Sequence, residues 1–183
     1  AVMPALLVSV QPDILSEPPA SAGGQFAGDL VISAELLRPV LLDLHKSTTS
    51  PDALIIRTLP NSPAKLTAEY GEANIPPYFT ADAMELIVES GFTHLLCDLP
   101  SIDRIFDGGK LINHRVFWTV EEGSFETNPG TRFNSTVTEM IYVPSEVADG
   151  EYLLNLQIAA FESDCAPSRP VLLTEDTSRT RAI

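Results

Sequence analysis

The stretch that most constrains the fold runs from Gly91 to Trp118 and reads GFTHLLCDLPSIDRIFDGGKLINHRVFW. Its first part, Thr93 to Cys97, is a short apolar run of the kind found in a strand that is covered on both faces of a parallel sheet. Asp98, Pro100 and Ser101 then end the strand and favour a turn. Because functional sites in open α/β sheets lie at the ends of such strands, we expect part of any site here.

The segments on either side extend an alternation of strands and helices. Helical segments are predicted for a turn capped by Ser33, for a second helix from Pro39 to Leu44, and for a helix that begins at Thr80 and ends at Gly91. This alternation is typical of an α/β fold with a parallel or mixed sheet. Further strands are predicted at Leu6–Val10, Leu30–Ile32, Leu54–Thr58, Thr136–Val143, Tyr152–Ala159 and Val171–Leu173.

The length of 183 residues and a hydrophobic fraction of 44% fit one domain with a buried core. We place this domain at residues 1–174. The polar residues 175–183 are predicted to be a frayed tail. The Pro-, Ser- and Gly-rich segment from Gln11 to Gly28 is interpreted as a loop or linker.

The charge of the chain argues against several kinds of partner. A formal net charge of −14, from 25 acidic and 11 basic residues, disfavours a nucleic-acid groove or an anionic membrane surface. No apolar run approaches the ~20 residues that span a bilayer, and no secretory signal pattern is present. Cys97 and Cys165 show neither a disulfide framework nor a metal-finger spacing, which favours a reducing, cytoplasmic location.

Three histidines are the first candidates for chemistry. His114 follows the flexible pair Gly108-Gly109 at helical spacing from Trp118, which makes it a candidate. His94 precedes a buried run, where a hydrogen-bonded structural histidine is the favoured interpretation. His45 is interpreted as a surface cation at a helix C-terminus.

Four other polar residues lie in otherwise apolar surroundings. Asp98, Ser101 and Asp103 could bring two carboxylates and a hydroxyl into one loop, although capping of the turn's own N–H groups is the favoured interpretation. Glu139 lies in a run of β-branched and apolar residues. It either points outward at a sheet edge or is buried against a cation, a metal or hydrogen-bond donors.

The chain also resembles a known family. The run LLCDLPSIDR followed by HRVFW is similar to the metal-dependent hydrolases of the cyclase family, whose best known members are the bacterial kynurenine formamidases. That family's metal-binding signature, His-x-Gly-Thr-His-x-Asp-x-Pro, is absent from this chain. Further similar segments follow in the family's order at Ala53–Asn61, Thr136–Pro144, Asp149–Asp164 and Ser168–Leu172.

The resemblance implies a swivelling β/β/α domain whose N-terminal part is missing here. It also implies hydrolysis of an amide or formamide C–N bond in a small molecule, with a divalent ion, zinc or manganese, as cofactor. His114 matches the family's acid/base histidine, and Glu139 matches a glutamate close to the metal, which makes Glu139 a partial metal ligand. Glu121–Ser135 is interpreted as an insertion between them.

Three hypotheses remain open at this stage. The first is a hydrolase whose metal ligands lie upstream of Ala1 or on another chain, with little activity in this chain alone. The second is a catalytically inactive binding protein with a cyclase fold. The third is a structural subunit whose N-terminal strand completes a partner's sheet, since apolar surface around Met3 to Val10 is expected to be exposed and to drive homo-oligomer formation.

Overall fold

The computed structural model of the chain describes residues 1–17, 25–44, 51–174 and 180–182. This part of the chain contains three α-helices and a single 3₁₀ turn at Pro63–Thr67. None of its helices has the length and apolar character needed to cross a bilayer. The helices are α1 (Ala34–Leu44), α2 (Ala81–Glu89) and α3 (Ile112–Trp118). The strands are β1 (Val2–Val10), β2 (Asp13–Ile14), β3 (Leu30–Ile32), β4 (Ala53–Thr58), β5 (Tyr78–Phe79), β6 (His94–Cys97), β7 (Thr136–Thr138), β8 (Gly150–Asn155), β9 (Val171–Leu173) and β10 (Thr180–Ala182).

A seven-stranded sheet with the order β10-β9-β8-β1-β4-β6-β7 forms the centre of the molecule. The strands β1, β4, β6 and β7 pair in parallel with one another. β8, β9 and β10 extend the sheet on the β1 side with antiparallel pairing. The predicted mixed α/β fold is therefore confirmed.

Both faces of the parallel strands are covered, which explains their apolar sequences. Leu54 and Ile56 of β4 pack in one core with the helices, and Ile55 packs in a second core on the opposite face. Each of these side chains is fully buried, and such burial stabilises the fold by about 1.5–3 kcal/mol per residue. All six residues of β4 are buried, so its continuous apolar pattern is that of a central strand.

A buried arginine interrupts that apolar pattern. The Nε–H group of Arg57 donates to Ser9 Oγ (2.8 Å), and a terminal nitrogen pairs with Asp149 Oδ1 (2.7 Å). The other terminal nitrogen donates to the carbonyls of Pro144 (2.9 Å) and Val147 (2.8 Å). Arg57 therefore fixes the segment 144–149 against β1 and β4, and its charge is compensated as a buried cation requires.

A small sheet with the order β2-β3-β5 lies beside the helices. Val31 and Ile32 of β3 pair in parallel with Tyr78 and Phe79. The N–H group of Phe79 also donates to the carbonyl of Ile102 (3.1 Å). This contact connects the small sheet to the loop that follows β6.

β1 contradicts the expectation of an exposed N-terminal strand. It lies between β4 and β8, and Ala5, Leu7 and Val10 are buried. The apolar surface proposed around Met3 to Val10 is therefore covered within this chain. The homo-oligomer remains a prediction, but it loses this argument.

Two other predictions were wrong in detail. Pro39 does not begin a second helix but lies inside α1, where its missing N–H group removes one hydrogen bond, the one to the carbonyl of Glu35. Thr180–Ala182 does not fray, because it pairs antiparallel with Val171–Leu173. His45 lies outside the described residues.

Three predicted strands differ from the structure mainly in length. The first is longer than expected, Val2–Val10 rather than Leu6–Val10. The segment predicted from Thr136 is a strand only to Thr138, and the segment predicted from Tyr152 is a strand at Gly150–Asn155. β7 ends early because the backbone at Met140 takes a positive φ of 58°, which is incompatible with an extended strand.

Candidate functional site

Three neighbouring parallel strands end side by side at one edge of the large sheet, and by this edge we mean the one formed by the carboxyl ends of the strands. β4 ends at Thr58, β6 is followed by Asp98, and β7 is followed by Glu139. Because the three strands are parallel and adjacent, their carboxyl ends bring these polar residues to the same side of the molecule. Helix α3 lies over this edge and carries His114.

His114 lies between two carboxylates. Its Nδ1 is 2.6 Å from Asp103 Oδ2, and its Nε2 is 3.5 Å from Glu139 Oε1. Because an ionised carboxylate can only accept, Nδ1 carries the proton in the contact with Asp103. His114 and Glu139, predicted as site residues, are thus brought together although they are 25 positions apart. Asp103 was not predicted to be the partner of this histidine.

Asp103 also fixes the start of α3. Its carboxylate accepts from the backbone N–H groups of Asn113 (2.7 Å) and His114 (3.3 Å). The side-chain amide of Asn113 donates to the carbonyls of Phe79 (2.7 Å) and Ile102 (2.9 Å). These bonds attach α3 to the loop after β6 and to β5. Both the ring and the backbone of His114 are therefore held in place.

Glu139 is a partly buried carboxylate, with 27% of its side chain exposed. It accepts from the N–H group of Ile102 (2.8 Å) and from the hydroxyl of Ser101. Burial raises the pKa of Glu139 above its usual range, against the opposing effects of Ile102, His114 and Ser101, while Asp103 adds to the rise. Glu139 is therefore a partly buried carboxylate with hydrogen-bond donors as partners, although it follows β7, the strand at the edge of the sheet.

The raised pKa of Glu139 makes a prediction for stability. A carboxyl group whose pKa is higher in the folded protein than in the unfolded chain destabilises the fold as pH rises from the ordinary value of about 4.3 through the raised one. Glu139→Gln keeps an acceptor for Ile102 but cannot ionise. We expect its Tm to match that of the wild type below pH 4.3, to exceed it increasingly as pH rises to the raised pKa, and to exceed it by a constant amount above that. A constant difference at every pH, measured by thermal unfolding, would contradict the assignment.

Asp98 and Lys65 form a second polar group at the same sheet edge. Asp98 accepts from the N–H group of Thr58 (3.1 and 3.0 Å) and from its hydroxyl (2.9 Å). Lys65 Nζ lies 2.8 Å from Asp98 Oδ2 and also donates to the carbonyl and hydroxyl oxygens of Thr58. Asp98 therefore caps a backbone N–H group, as favoured from the sequence, but this group belongs to the neighbouring strand rather than to its own turn.

Ser101 and His94 have structural contacts. The hydroxyl of Ser101 accepts from the N–H group of Asp103 (3.1 Å), which is the turn-capping contact expected for this loop. His94 Nδ1 is 2.8 Å from Thr136 Oγ1 on the adjacent strand, and burial lowers the pKa of this histidine. His94 begins β6 and is thus at the opposite end of the strand from Asp98. The prediction of a hydrogen-bonded structural histidine is confirmed.

The segment Glu121–Ser135 packs on the far end of α3. Trp118 lies with its ring centroid 5.4 Å from that of His114, and its indole N–H donates to the carbonyl of Ser135 (2.9 Å). Arg132 donates to the carbonyls of Phe117 (2.6 Å) and Phe92. These contacts fix the C-terminal end of α3, and sequence reasoning had not singled out Arg132.

The side chains present fit only part of a metal site. His114 Nε2 and Glu139 could each bind an ion, and a histidine whose other nitrogen bonds a carboxylate is the usual arrangement of a metal ligand. Asp103 is already engaged by His114 and by two backbone N–H groups. Across residues 1–17, 25–44, 51–174 and 180–182, no three His, Cys, Asp or Glu side chains are grouped as a metal site requires. A catalytic zinc takes about three protein ligands, so this donor set is incomplete.

Comparison with known proteins gives matches at the level of structure only. No protein-family model matches the sequence, and no curated protein matches it. Several solved structures do match. A predicted metal-dependent hydrolase from Bacillus stearothermophilus has a TM-score of 0.55 at 14% identity, over 93% of this chain and 63% of the other. A potential metal-dependent hydrolase with cyclase activity has a TM-score of 0.52 at 13% identity, over 93% and 64%.

A third structure, an isatin hydrolase bound to the product analogue thioisatinate, has a TM-score of 0.53 at 14% identity, over 92% of this chain and 58% of the other. The chain thus spans about three fifths of the length of these proteins. At such low identity the likeness establishes the fold. The fold is the cyclase-like α/β fold that the sequence resemblance implied.

Proposed function

We propose that this chain is the major part of a metal-dependent hydrolase of the cyclase type, which cleaves the C–N bond of an amide or formamide in a small molecule. The observation that supports this proposal is the Asp103–His114–Glu139 arrangement at the carboxyl ends of the parallel strands. In α/β proteins this edge is the usual location of ligand sites. The arrangement places a histidine between an orienting carboxylate and a second carboxylate of raised pKa.

In the proposed reaction His114 transfers the proton. Asp103 holds the proton on Nδ1, which leaves Nε2 with a lone pair on the side that faces Glu139. Nε2 takes a proton from water as the water oxygen bonds to the carbonyl carbon. The same proton then passes to the leaving nitrogen as the C–N bond breaks, giving a carboxylic acid and an amine. Asp103 stabilises the imidazolium ion between these steps.

The metal requirement is part of the proposal, and it predicts that the chain alone binds metal poorly. Because Nε2 of His114 carries the transferred proton, the proposal leaves Glu139 as the metal ligand of the Asp103–His114–Glu139 arrangement. Even if His114 bound the ion as well, the two ligands would fall short of the three that a catalytic zinc takes, and affinity falls steeply as ligands are lost. We expect well under one equivalent of zinc or manganese per chain after purification without chelator and dialysis, by elemental analysis. A metal content near one equivalent per chain that is lost on His114→Ala or Glu139→Gln would contradict the conclusion that the set of metal ligands is incomplete.

The activity itself is tested in the product of the full gene. The gene is read upstream of Ala1 for a His-x-Gly-Thr-His-x-Asp segment, and the product is assayed with aryl formamides and cyclic amides, with and without zinc or manganese. Metal-dependent hydrolysis supports the proposal. A folded protein that hydrolyses none of these compounds with either metal would instead favour a catalytically inactive binding or structural subunit.

A further inference from the structure

Three non-glycine residues in the described ranges have a positive φ, and one of them adjoins the candidate site directly. They are Leu111 (52°), Thr119 (56°) and Met140 (58°). L-residues with side chains rarely adopt this conformation, because Cβ approaches the backbone too closely. Met140 directly follows Glu139. Strained backbone of this kind persists only where surrounding contacts impose it, and it occurs often at functional sites.

The side chain of Met140 does not account for its strained backbone. It is 77% exposed, so packing of the side chain cannot hold the residue in place. The backbone contacts do account for it. The N–H group of Met140 donates to the carbonyl of Leu99 (2.9 Å), and that of Ile141 donates to the carbonyl of Cys97 (3.2 Å).

These two bonds show that one extra residue is inserted in the pairing at Met140. The N–H group of Thr136 donates to the carbonyl of Thr93, and in the parallel register of β6 and β7 the N–H group of residue 140 would reach the carbonyl of Cys97. Ile141 bonds that carbonyl instead, and the N–H group of Met140 bonds Leu99, as at a β-bulge. The extra residue follows immediately after Glu139, whose carboxylate bonds the N–H group of Ile102 (2.8 Å) and lies 3.5 Å from His114 Nε2.

We infer that Met140 is a positioning residue, and that its left-handed backbone directs the Glu139 carboxylate onto Ile102 and His114. If residue 140 were extended, its own N–H group would continue the ladder of β7 to Cys97, and its bond to Leu99 would be lost. The catalytic importance of this placement rests on the proposed function. The placement itself can be tested without any activity.

The test compares variants that accept a positive φ with one that resists it. Met140→Gly and Met140→Asn suit the left-handed conformation, whereas Met140→Ile, which is β-branched, disfavours it. The readout is hydrogen exchange of the Ile102 amide by NMR, with Glu139→Ala as the reference for a lost acceptor. We expect wild-type exchange in Met140→Gly and Met140→Asn, and exchange about tenfold faster in Met140→Ile, the factor expected for the loss of one hydrogen bond.

Two controls separate positioning from a general effect on stability. The amide of Asn113, bonded to Asp103, should keep its exchange rate in every variant. Thr119→Gly relieves a positive φ at the other end of α3 and should leave the Ile102 amide unchanged. If Met140→Ile does not fold, Met140→Thr makes the same comparison with a smaller, polar β-branched side chain that suits an exposed position.

Wild-type exchange of Ile102 in the folded β-branched variant would overturn the inference, even if its Tm fell. Faster exchange in Met140→Gly and Met140→Asn as well would also overturn it, because side-chain identity rather than backbone conformation would then be responsible. If the Ile102 amide responds as expected while the full gene product hydrolyses no amide, the proposed function fails and the positioning role stands.

Discussion

His114→Ala is expected to lower kcat for amide or formamide hydrolysis by the full gene product by roughly 10²- to 10⁴-fold, with the fold intact. This range is the usual loss when a positioned acid/base group is removed. The imidazole can accept and then donate a proton at Nε2 while Asp103 holds its Nδ1. The variant leaves Asp103 with the N–H groups at positions 113 and 114 but without the imidazole, so Tm should fall while circular dichroism shows an intact fold, and kcat is compared among folded proteins.

His94 provides the control for this prediction. His94→Ala loses the contact with Thr136 Oγ1 across the β6–β7 pair, at the opposite end of the strand from the candidate site. We expect it to lower Tm while the kcat of the remaining folded enzyme stays within a few-fold of the wild type. An equal loss of kcat from both variants, with both folded, would mean that His114 is not the proton-transfer group.

The residues of the candidate site were predictable to different degrees. His114 and Glu139 were singled out from the sequence because each resembles a position of the cyclase family and Glu139 is polar in apolar surroundings. Asp103 was found as a loop carboxylate but not as the partner of His114, because residues 104–113 separate the two in sequence and only the turn of the loop brings them together. No rule of sequence spacing predicts that a loop carboxylate about ten residues before a histidine will contact it.

Arg57 and Lys65 show what sequence reasoning could and could not predict. Arg57 is a lone cation in the apolar run ALIIRT, which by itself indicates that a compensating partner must exist. Its partner Asp149 is far away in sequence and could not be named without the sheet order. Lys65 lies in a long polar loop, where nothing distinguishes it from a solvated lysine.

The strands were predicted better than their ends. β3 and β9 were predicted with their observed bounds, and β4 and β6 to within one residue, because covered parallel strands have continuous apolar sequences. β7 was predicted too long because the apolar character continues to Val143, whereas the backbone turns at Met140. The hydrophobic pattern indicates which residues are buried. It carries no information about the backbone conformation of one residue, such as the positive φ of Met140.

Asp98→Ala is expected to have the largest effect on stability, lowering the free energy of unfolding by about 3–5 kcal/mol, the usual cost of removing one partner of a buried ion pair. Only 1% of the Asp98 side chain and 18% of that of Lys65 is exposed. Removing the carboxylate leaves the ammonium of Lys65 without a counter-charge and the buried N–H group of Thr58 without an acceptor. Both groups lose interactions that water cannot restore in place.

Two matched variants separate the contributions of charge and hydrogen bonding. Asp98→Asn retains an oxygen that can accept from Thr58 and should lose less stability than Asp98→Ala. Lys65→Met removes the cation but leaves Asp98 with the N–H and hydroxyl donors of Thr58, so it should also be milder. Urea unfolding gives the order, provided that the m-values agree among the variants. If Asp98→Ala cost no more than Lys65→Met, the carboxylate would not be the group that joins β4 to β6, and the contacts at this edge of the sheet would have to be assigned differently.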